Sequence, residues 1–387
     1  MNNRLQQKIR FYRERYQQHQ QRLHNQNQNQ HNQQHKNEMN EEEINNNRKI
    51  INKEDIFKKL EDVNEMNEII KENIRECARR ESQYYNPNKI EFRYPSCQVL
   101  FKIRENRLIE IRHTIEDVHL RERIDDIRNY IEKMLMDSTY RIHGDFMFNL
   151  HDKSDYHHDT NEIVFSKNKN TEKTLMIDLY AMQNYIHVRD VKDEKTFKNK
   201  IKKGIFIGAS TGNMEIMKND RLQFCDYSYR NRLTSNFECY MNIICQIKES
   251  DLERELPNYI YFYKPNNMSI PEQRNYRYII NIDGNTTCWD RLIWIYQGES
   301  ILLKKKSDNI NWYYSLMEKG NHYVEFDNCE ELELKINVLN RLYDKNPDKI
   351  NKIIENQKNF VYSYLTPKAH LLYMCYLFQY ISEKFIN

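Results

Sequence analysis

Residues 276–304 read YRYIINIDGNTTCWDRLIWIYQGESILLK, and their pattern sets the expected fold. The apolar run YRYII has the length of a buried strand, Asp283-Gly284 marks a tight turn, and LIWIYQ follows as a helical run. Thr286 or Thr287 is placed to cap the helix, Gly298 to stop it, and SILLK (300–304) to form a second strand. The expected unit is βαβ, with its turn at the carboxyl end of a strand. Open α/β sheets bind ligands at such corners, and free backbone N–H groups there attract phosphates. Asn285, Thr286 and Thr287 add amide and hydroxyl donors, and Arg291 adds a fork of donors suited to a diphosphate. Taken by itself, the segment is better explained as a capped helix with a surface arginine, because one glycine is a weak signal. A calcium loop is excluded: with Gly284 sixth, Ile279 would stand first and offers no side-chain oxygen.

The same texture extends outward. FMFNL (146–150), EIVFS (162–166), GIFIG (204–208) and YIYFY (259–263) are further strand candidates, alternating with helical runs such as CEELELKINVLNRLY. That alternation predicts an α/β fold with parallel sheets and crossover helices. Earlier in the chain, Ile56, Leu60, Val63, Ile70 and Ile74 recur at helical spacing. A second helix is expected over roughly 101–136, carried by Leu108, Ile111, Ile115, Ile124, Ile127 and Ile131. The chain closes on two helical patterns, PDKINKIIENQKNFVYSYL and KAHLLYMCYLFQYISEKF. Residues 17–47 form an Asn/Gln-rich low-complexity tract that cannot bury enough apolar surface to order itself, so disorder is expected there. A short basic helix is expected over residues 1–16.

A net charge of +3 over 387 residues argues against a nucleic-acid partner held by a broad basic face. The eight cysteines include no CxxC pair, which removes zinc ribbons and thioredoxin-type motifs. No amino-terminal apolar region resembles a signal peptide and no run is long enough to span a bilayer, so a cytoplasmic protein with reduced thiols is expected. All seven glycines fall between Gly144 and Gly320, which marks the middle of the chain as the part with demanding turns.

Two of those glycine-bearing segments add candidate sites. In GIFIGASTGN (204–213) a strand leads into a small-residue loop, where Ala209, Ser210, Thr211 and Gly212 let a backbone approach a ligand, with Lys202, Lys203 and, further on, Arg221 as cations nearby in sequence. An ordinary β-turn explains the same residues equally well. In RIHGDFMFNLHDKSD (141–155), Asp152 follows a strand, beside His151, where a general base would sit. HGDFMFN also resembles the HGDxxxxN loop of small-molecule kinases, with Asp178-Leu179 as a metal-binding partner. The gap from Asp145 to Asn149 is one residue short, however, and no glycine-rich loop precedes it. A metal site built from Asp152, His157, His158 and Asp159 is a minor alternative, since adjacent loop histidines are more often solvated.

Taken together, NYRYIINIDGNTTCWDRLIWIYQGESILLKKKS and WYYSLMEKGNHYVEFDNCEEL resemble the core of glycosyltransferase family 90, which includes protein O-glucosyltransferases and capsule xylosyltransferases. The family pattern falls on Tyr276, Tyr278, Asp283, Gly284, Arg291, Ser300, His322 and Tyr323, and FNLHDKSD, IVFSKNKNTEK and FIGASTG resemble its upstream segments. The resemblance implies a GT-B architecture of two Rossmann-like domains with a cleft between them. Residues 48–200 would form the acceptor-side domain, joined by the final helix (366–387), and 201–365 the donor domain, behind a disordered 1–47. It further implies inverting transfer of glucose or xylose from a UDP-sugar to a hydroxyl of a glycan or protein, without metal or other cofactor. Asp152 would be the base. Arg291, Arg221 and a helix start at Thr286–Thr287 would stabilise the departing UDP, and Gly208, Ala209, Ser210, Thr211, Asp283 and Gly284 would line its pocket. Ser166, Lys167 and Tyr180 would face the acceptor. The chain departs from the family at His151, Lys153-Ser154, Lys304–Lys306 and the FIGA loop, which leaves open a degenerate member that binds without turnover. Its AT-rich composition fits a cytoplasmic enzyme of a microbe or a large virus.

Overall fold

Two five-stranded sheets organise the chain in the computed structural model, whose described residues are 66–136, 139–152, 161–177, 193, 195–265, 268–288 and 290–386. The expectations for the Asn/Gln-rich tract, for residues 1–16 and for the first part of the Ile56–Ile74 pattern lie outside them. Glu68–Ser82 forms helix α1, with the Asn67 side chain accepting from the Ile69 N–H.

The first sheet contains β1 (Gln98–Arg104), β2 (Arg107–Arg112), β3 (Gly144–Asn149), β4 (Ile163–Val164) and β6 (Thr174–Leu175), in the order β2-β1-β3-β4-β6. The strands β2, β1 and β3 pair antiparallel, whereas β3, β4 and β6 run parallel. The helix expected over 101–136 is therefore confined to α2 (Val118–Leu135), and its first third is a hairpin. Glu105 and Asn106 make the reversal with φ of 50° and 60°, the left-handed pair that a tight hairpin turn requires. Leu108, Ile111 and Ile115 fit a 3.6-residue period, but Phe101 and Ile103, both fully buried, keep the period of 2 that decides the segment.

The second sheet is wholly parallel. Its strands are β7 (Ile201–Ala209), β8 (Phe237–Ile243), β9 (Tyr276–Asn281), β10 (Ile301–Lys305) and β12 (Val324–Phe326), ordered β8-β7-β9-β10-β12. Helix α3 (Asp220–Arg230) crosses from β7 to β8, and α4 (Arg291–Tyr296) from β9 to β10. All six residues of β9 are buried, as a strand covered on both faces must be. The strand expected at YIYFY is instead a helical turn, Tyr259–Phe262. Tyr259 and Phe262 are buried while Ile260 and Tyr261 are exposed, so burial follows a spacing of three rather than two.

Helices α5 (Cys329–Lys345), α6 (Pro347–Tyr364) and α7 (Pro367–Ile386) complete the chain. Helix α7 packs along α1 and sets Phe378 on Phe146 of β3, with ring centroids 4.4 Å apart. An antiparallel ribbon of β5 (Lys167–Asn168) and β11 (Asn309–Ile310) joins the two sheet-centred lobes. Trp312, just beyond it, stacks on Tyr373 of α7 at 4.3 Å. Among the described residues no helix is long and apolar enough to cross a membrane.

Candidate active site

From β7 the parallel sheet proceeds one way to β8 and the other way to β9, so the loops leaving β7 and β9 diverge. Such a switch point opens a crevice at the carboxyl ends of the strands. The two loops are the small-residue segment after Ala209 and the turn after Asn281, so sequence and topology select the same place.

The loops are stitched to each other. The Gly212 N–H donates to Asn285 Oδ1 at 3.1 Å. A Cβ on Gly284 would lie 2.4 Å from Thr211 Oγ1 and 2.9 Å from Arg221 Cζ, so this glycine makes room for side chains of its own chain. The Ser210 hydroxyl donates to the Cys245 carbonyl at 2.7 Å and accepts from the Cys245 N–H at 2.8 Å, which ties the end of β7 to the end of β8. Thr286 and Thr287 are buried, and neither caps a helix. Helix α4 begins at Arg291 after Asp290 and is six residues long, because the chain first folds into a turn closed by the Gly284 N–H on the Thr286 carbonyl at 3.1 Å. The expected helix start at these threonines is therefore displaced to Arg291.

Two arginines converge beneath these loops. Arg221, on α3, donates from Nε and Nη2 to the Ile282 carbonyl and from Nη1 to the Ala209 carbonyl (3.0 Å) and Thr211 Oγ1 (2.7 Å). Arg291 donates to the carbonyls of Ile280 and Ile207. Both guanidiniums lie over the Phe206 ring, at 5.6 and 4.9 Å from its centroid. Among the described residues neither arginine forms an ion pair. Burial, and after it the adjacent Arg221 cation, push Arg291 below the ordinary arginine range. Beside them, Asp283 stands 3.5 Å from Lys304 Nζ, and neither of its carboxylate oxygens has a hydrogen-bond partner within the protein. The buried hydroxyls of Tyr296 and Tyr314 and the amide of Asn281 are likewise unpartnered, a concentration of orphaned polar groups that needs a ligand or water to satisfy it.

The opposite edge belongs to the first sheet. At the end of β3 the Leu150 N–H donates to the Cys97 carbonyl at 2.9 Å, and Asn149 Oδ1 accepts from the His151 N–H at 3.0 Å. Asn149 in turn donates to Glu162, which a fully buried Lys173 pairs at 2.9 Å. This holds Asp152 at the strand's carboxyl edge, as expected for a base, with its side chain 34% exposed. Arg123 Nη2, from α2, lies 2.9 Å from Asp152 Oδ1. No local pattern announces Arg123: it reaches Asp152 only because α2 packs against β2 of the same sheet.

A cavity of about 480 Å³ lies between the lobes, lined by Arg123, His151 and Asp152 on one side and by Met214, Gln246 and Asn285 on the other. Of the predicted residues, Asp152 lines it directly, and Thr211, Gly284 and Arg221 stand behind Asn285. Ser166 and Lys167 do not line it. The Ser166 hydroxyl donates to the Ile310 carbonyl at 3.2 Å in the ribbon, and Lys167 is buried against Glu81 at 2.8 Å. Asp145 pairs with Arg104 at 2.6 Å at the other end of β3 from Asp152, so the HGD motif and Asn149 serve separate contacts. Tyr180, Asp178, Leu179, His157, His158 and Asp159 lie outside the described residues.

The model of the family described as Glycosyl transferase family 90 matches residues 147–385, a span that contains Asp152 and both switch-point loops. Among solved structures, the C-terminal domain of a glycosyl transferase group 1 family protein (LpcC) from Francisella tularensis is similar at 10% identity and a TM-score of 0.30, over 46% of this chain and 95% of that one. HepE from Anabaena, solved with UDP-glucose, is similar at 11% identity and a TM-score of 0.32, over 55% of this chain and 57% of its own. No curated protein matches the chain.

Proposed function

The chain belongs to glycosyl transferase family 90, and on that premise we propose that it moves glucose or xylose from a UDP-sugar to a hydroxyl of a glycan or protein, with inversion. One observation carries the reading: Arg221 and Arg291 are brought together at a parallel-sheet switch point, and among the described residues neither is in an ion pair, Asp290 acting on Arg291 only at longer range. Carbonyl oxygens soften the desolvation of these cations but leave their charge uncancelled. A diphosphate supplies that charge in a geometry that guanidinium forks match.

In this reading Asp152 accepts the proton of the acceptor hydroxyl as its oxygen attacks the anomeric carbon. The bond from that carbon to UDP breaks, and its electron pair leaves on the diphosphate. The arginines stabilise the developing charge, so the reading assigns this task to the protein rather than to a metal ion. Asp283 and its unpartnered neighbours offer hydrogen bonds to the donor, while Gly208, Ala209 and Thr211 shape the loop that admits it. The test is release of UDP during incubation with a panel of UDP-sugars, with and without hydroxyl acceptors. Release with one sugar supports transfer. Tight UDP binding without release for any sugar supports a binding protein instead, and no binding of UDP removes both readings.

A further inference from the structure

Within the glycosyl-transfer reading, on which this inference rests, we propose that Arg123 is a positioning residue that acts through Asp152. Among the described residues its guanidinium reaches Asp152 and Leu150 at once. Nη2 lies 2.9 Å from the buried Asp152 Oδ1 as an ion pair without hydrogen-bond geometry, and Nη1 donates to the carbonyl of Leu150, two residues earlier. One rigid plane thereby holds its charge against the carboxylate and anchors the backbone that carries it, which a lysine, with its single point charge, cannot do. The base is otherwise exposed to rotamer disorder, because it follows the last residue of β3 by three positions and lies on a loop. The remaining ties, Leu150 N–H to Cys97 and His151 N–H to Asn149, hold the backbone but not the carboxylate. Arg123 is itself well placed to do so. Helix α2 is capped by Asp117, whose side chain accepts from the Leu120 N–H at 3.0 Å, and the Arg123 side chain is only 14% exposed. The carboxylate remains reachable from the cavity, since about a third of its side chain is open. Proton transfer requires the base within hydrogen-bond reach of the acceptor hydroxyl, and a misplacement of about 1 Å can cost about a hundredfold in rate.

The decisive experiment is steady-state kinetics of Arg123→Met with the best donor from the panel. The expected result is a kcat about 10- to 100-fold lower, with donor KM and UDP affinity within about twofold of the parent. Arg123→Lys should recover part of kcat by keeping the cation without the fork. In an Asp152→Glu background, where the carboxylate is displaced by one methylene, Arg123→Met should cost less than about threefold, because the positioning is already lost. Three results overturn the proposal: an unchanged kcat, an equal penalty in both backgrounds, or a raised donor KM with kcat intact, which would make Arg123 a donor ligand. Thermal unfolding establishes that each variant is folded. If the methionine variant is not, Arg123→Gln takes its place, and full kcat in either folded variant is fatal. Failure of the underlying reading looks different, for then Asp152→Asn itself would keep its turnover.

Discussion

The two edges of the cleft treat charge in opposite ways. On the parallel-sheet edge, Arg221 and Arg291 are packed over Phe206, and among the described residues they donate to carbonyl, hydroxyl and thiol groups and form no ion pair. On the mixed-sheet edge, Asp152 Oδ1 is buried against a cation, Arg123, while a third of the Asp152 side chain stays open. A buried charge with no counter-charge is costly and makes a place for a charge from outside. A half-open charge with a partner costs little, and the partner's value lies in direction rather than stability. In the proposed function the first edge holds an anion and the second aims a base.

Two substitutions test that contrast most severely. Asp152→Asn should lower turnover by a factor on the order of a thousand, the scale of general-base loss, while UDP affinity measured by calorimetry stays unchanged. Retained turnover would remove the base from the second edge. Arg291→Ala should do the reverse, weakening UDP binding by about 10- to 100-fold, as the loss of a charged hydrogen bond of about 1.5–3 kcal/mol implies. An unchanged UDP affinity in a folded variant would reduce the arginine pair to a structural brace and dissolve the contrast.

How legible each edge was follows from how local its signals are. The two switch-point loops were visible because turn chemistry is local: Asp283-Gly284 and the GASTG loop had to interrupt buried strands, and parallel strands place such interruptions at one end of the sheet. The helix start was misplaced by four to five residues because Thr286 and Thr287 are good capping residues that the Gly284 turn buries instead. At the other edge Asp152 could be read from the end of β3, but Arg123 could not. It stands on a helix 29 positions earlier, and only the packing of α2 on the sheet brings it near. The hairpin of β1 and β2 was hidden for another reason. Leu108, Ile111 and Ile115 fall at helical spacing, and the left-handed Glu105-Asn106 turn lacks the glycine that usually announces a hairpin.

Gly284→Ala sharpens the contrast at the level of packing. The added methyl would collide with Thr211 Oγ1 and Arg221 Cζ. Overpacking of this kind costs about 1–3 kcal/mol, so the unfolding midpoint in urea should fall and UDP affinity with it, because the arginine is what must move. Combining it with Thr211→Ala removes the nearer collision and should restore part of the stability. A Gly284→Ala protein with parental stability and affinity would mean that the loop yields freely, and that the arginines are not held by it.

The contrast also requires that the two edges stay opposed, and one joint between the lobes responds to pH. His370 of α7 is fully buried, accepts from the Trp312 indole N–H at 3.3 Å and lies beside no charged partner, so burial pushes it down to about 3. The unfolded chain binds this proton below about 6.5, the folded one only below about 3, so between those values the unfolded state holds more protons. The histidine's contribution is therefore complete above pH 6.5 and is lost as the pH falls, by up to about 1.4 kcal/mol per unit. His370→Gln keeps an acceptor for Trp312 without a titrating group. Urea unfolding at pH 7, 6 and 5 should give a slope of stability against pH that is flatter in the variant by about 1 kcal/mol per unit. Equal slopes would place the acid sensitivity elsewhere, and the joint that keeps a base facing an anion site would then hold by packing alone.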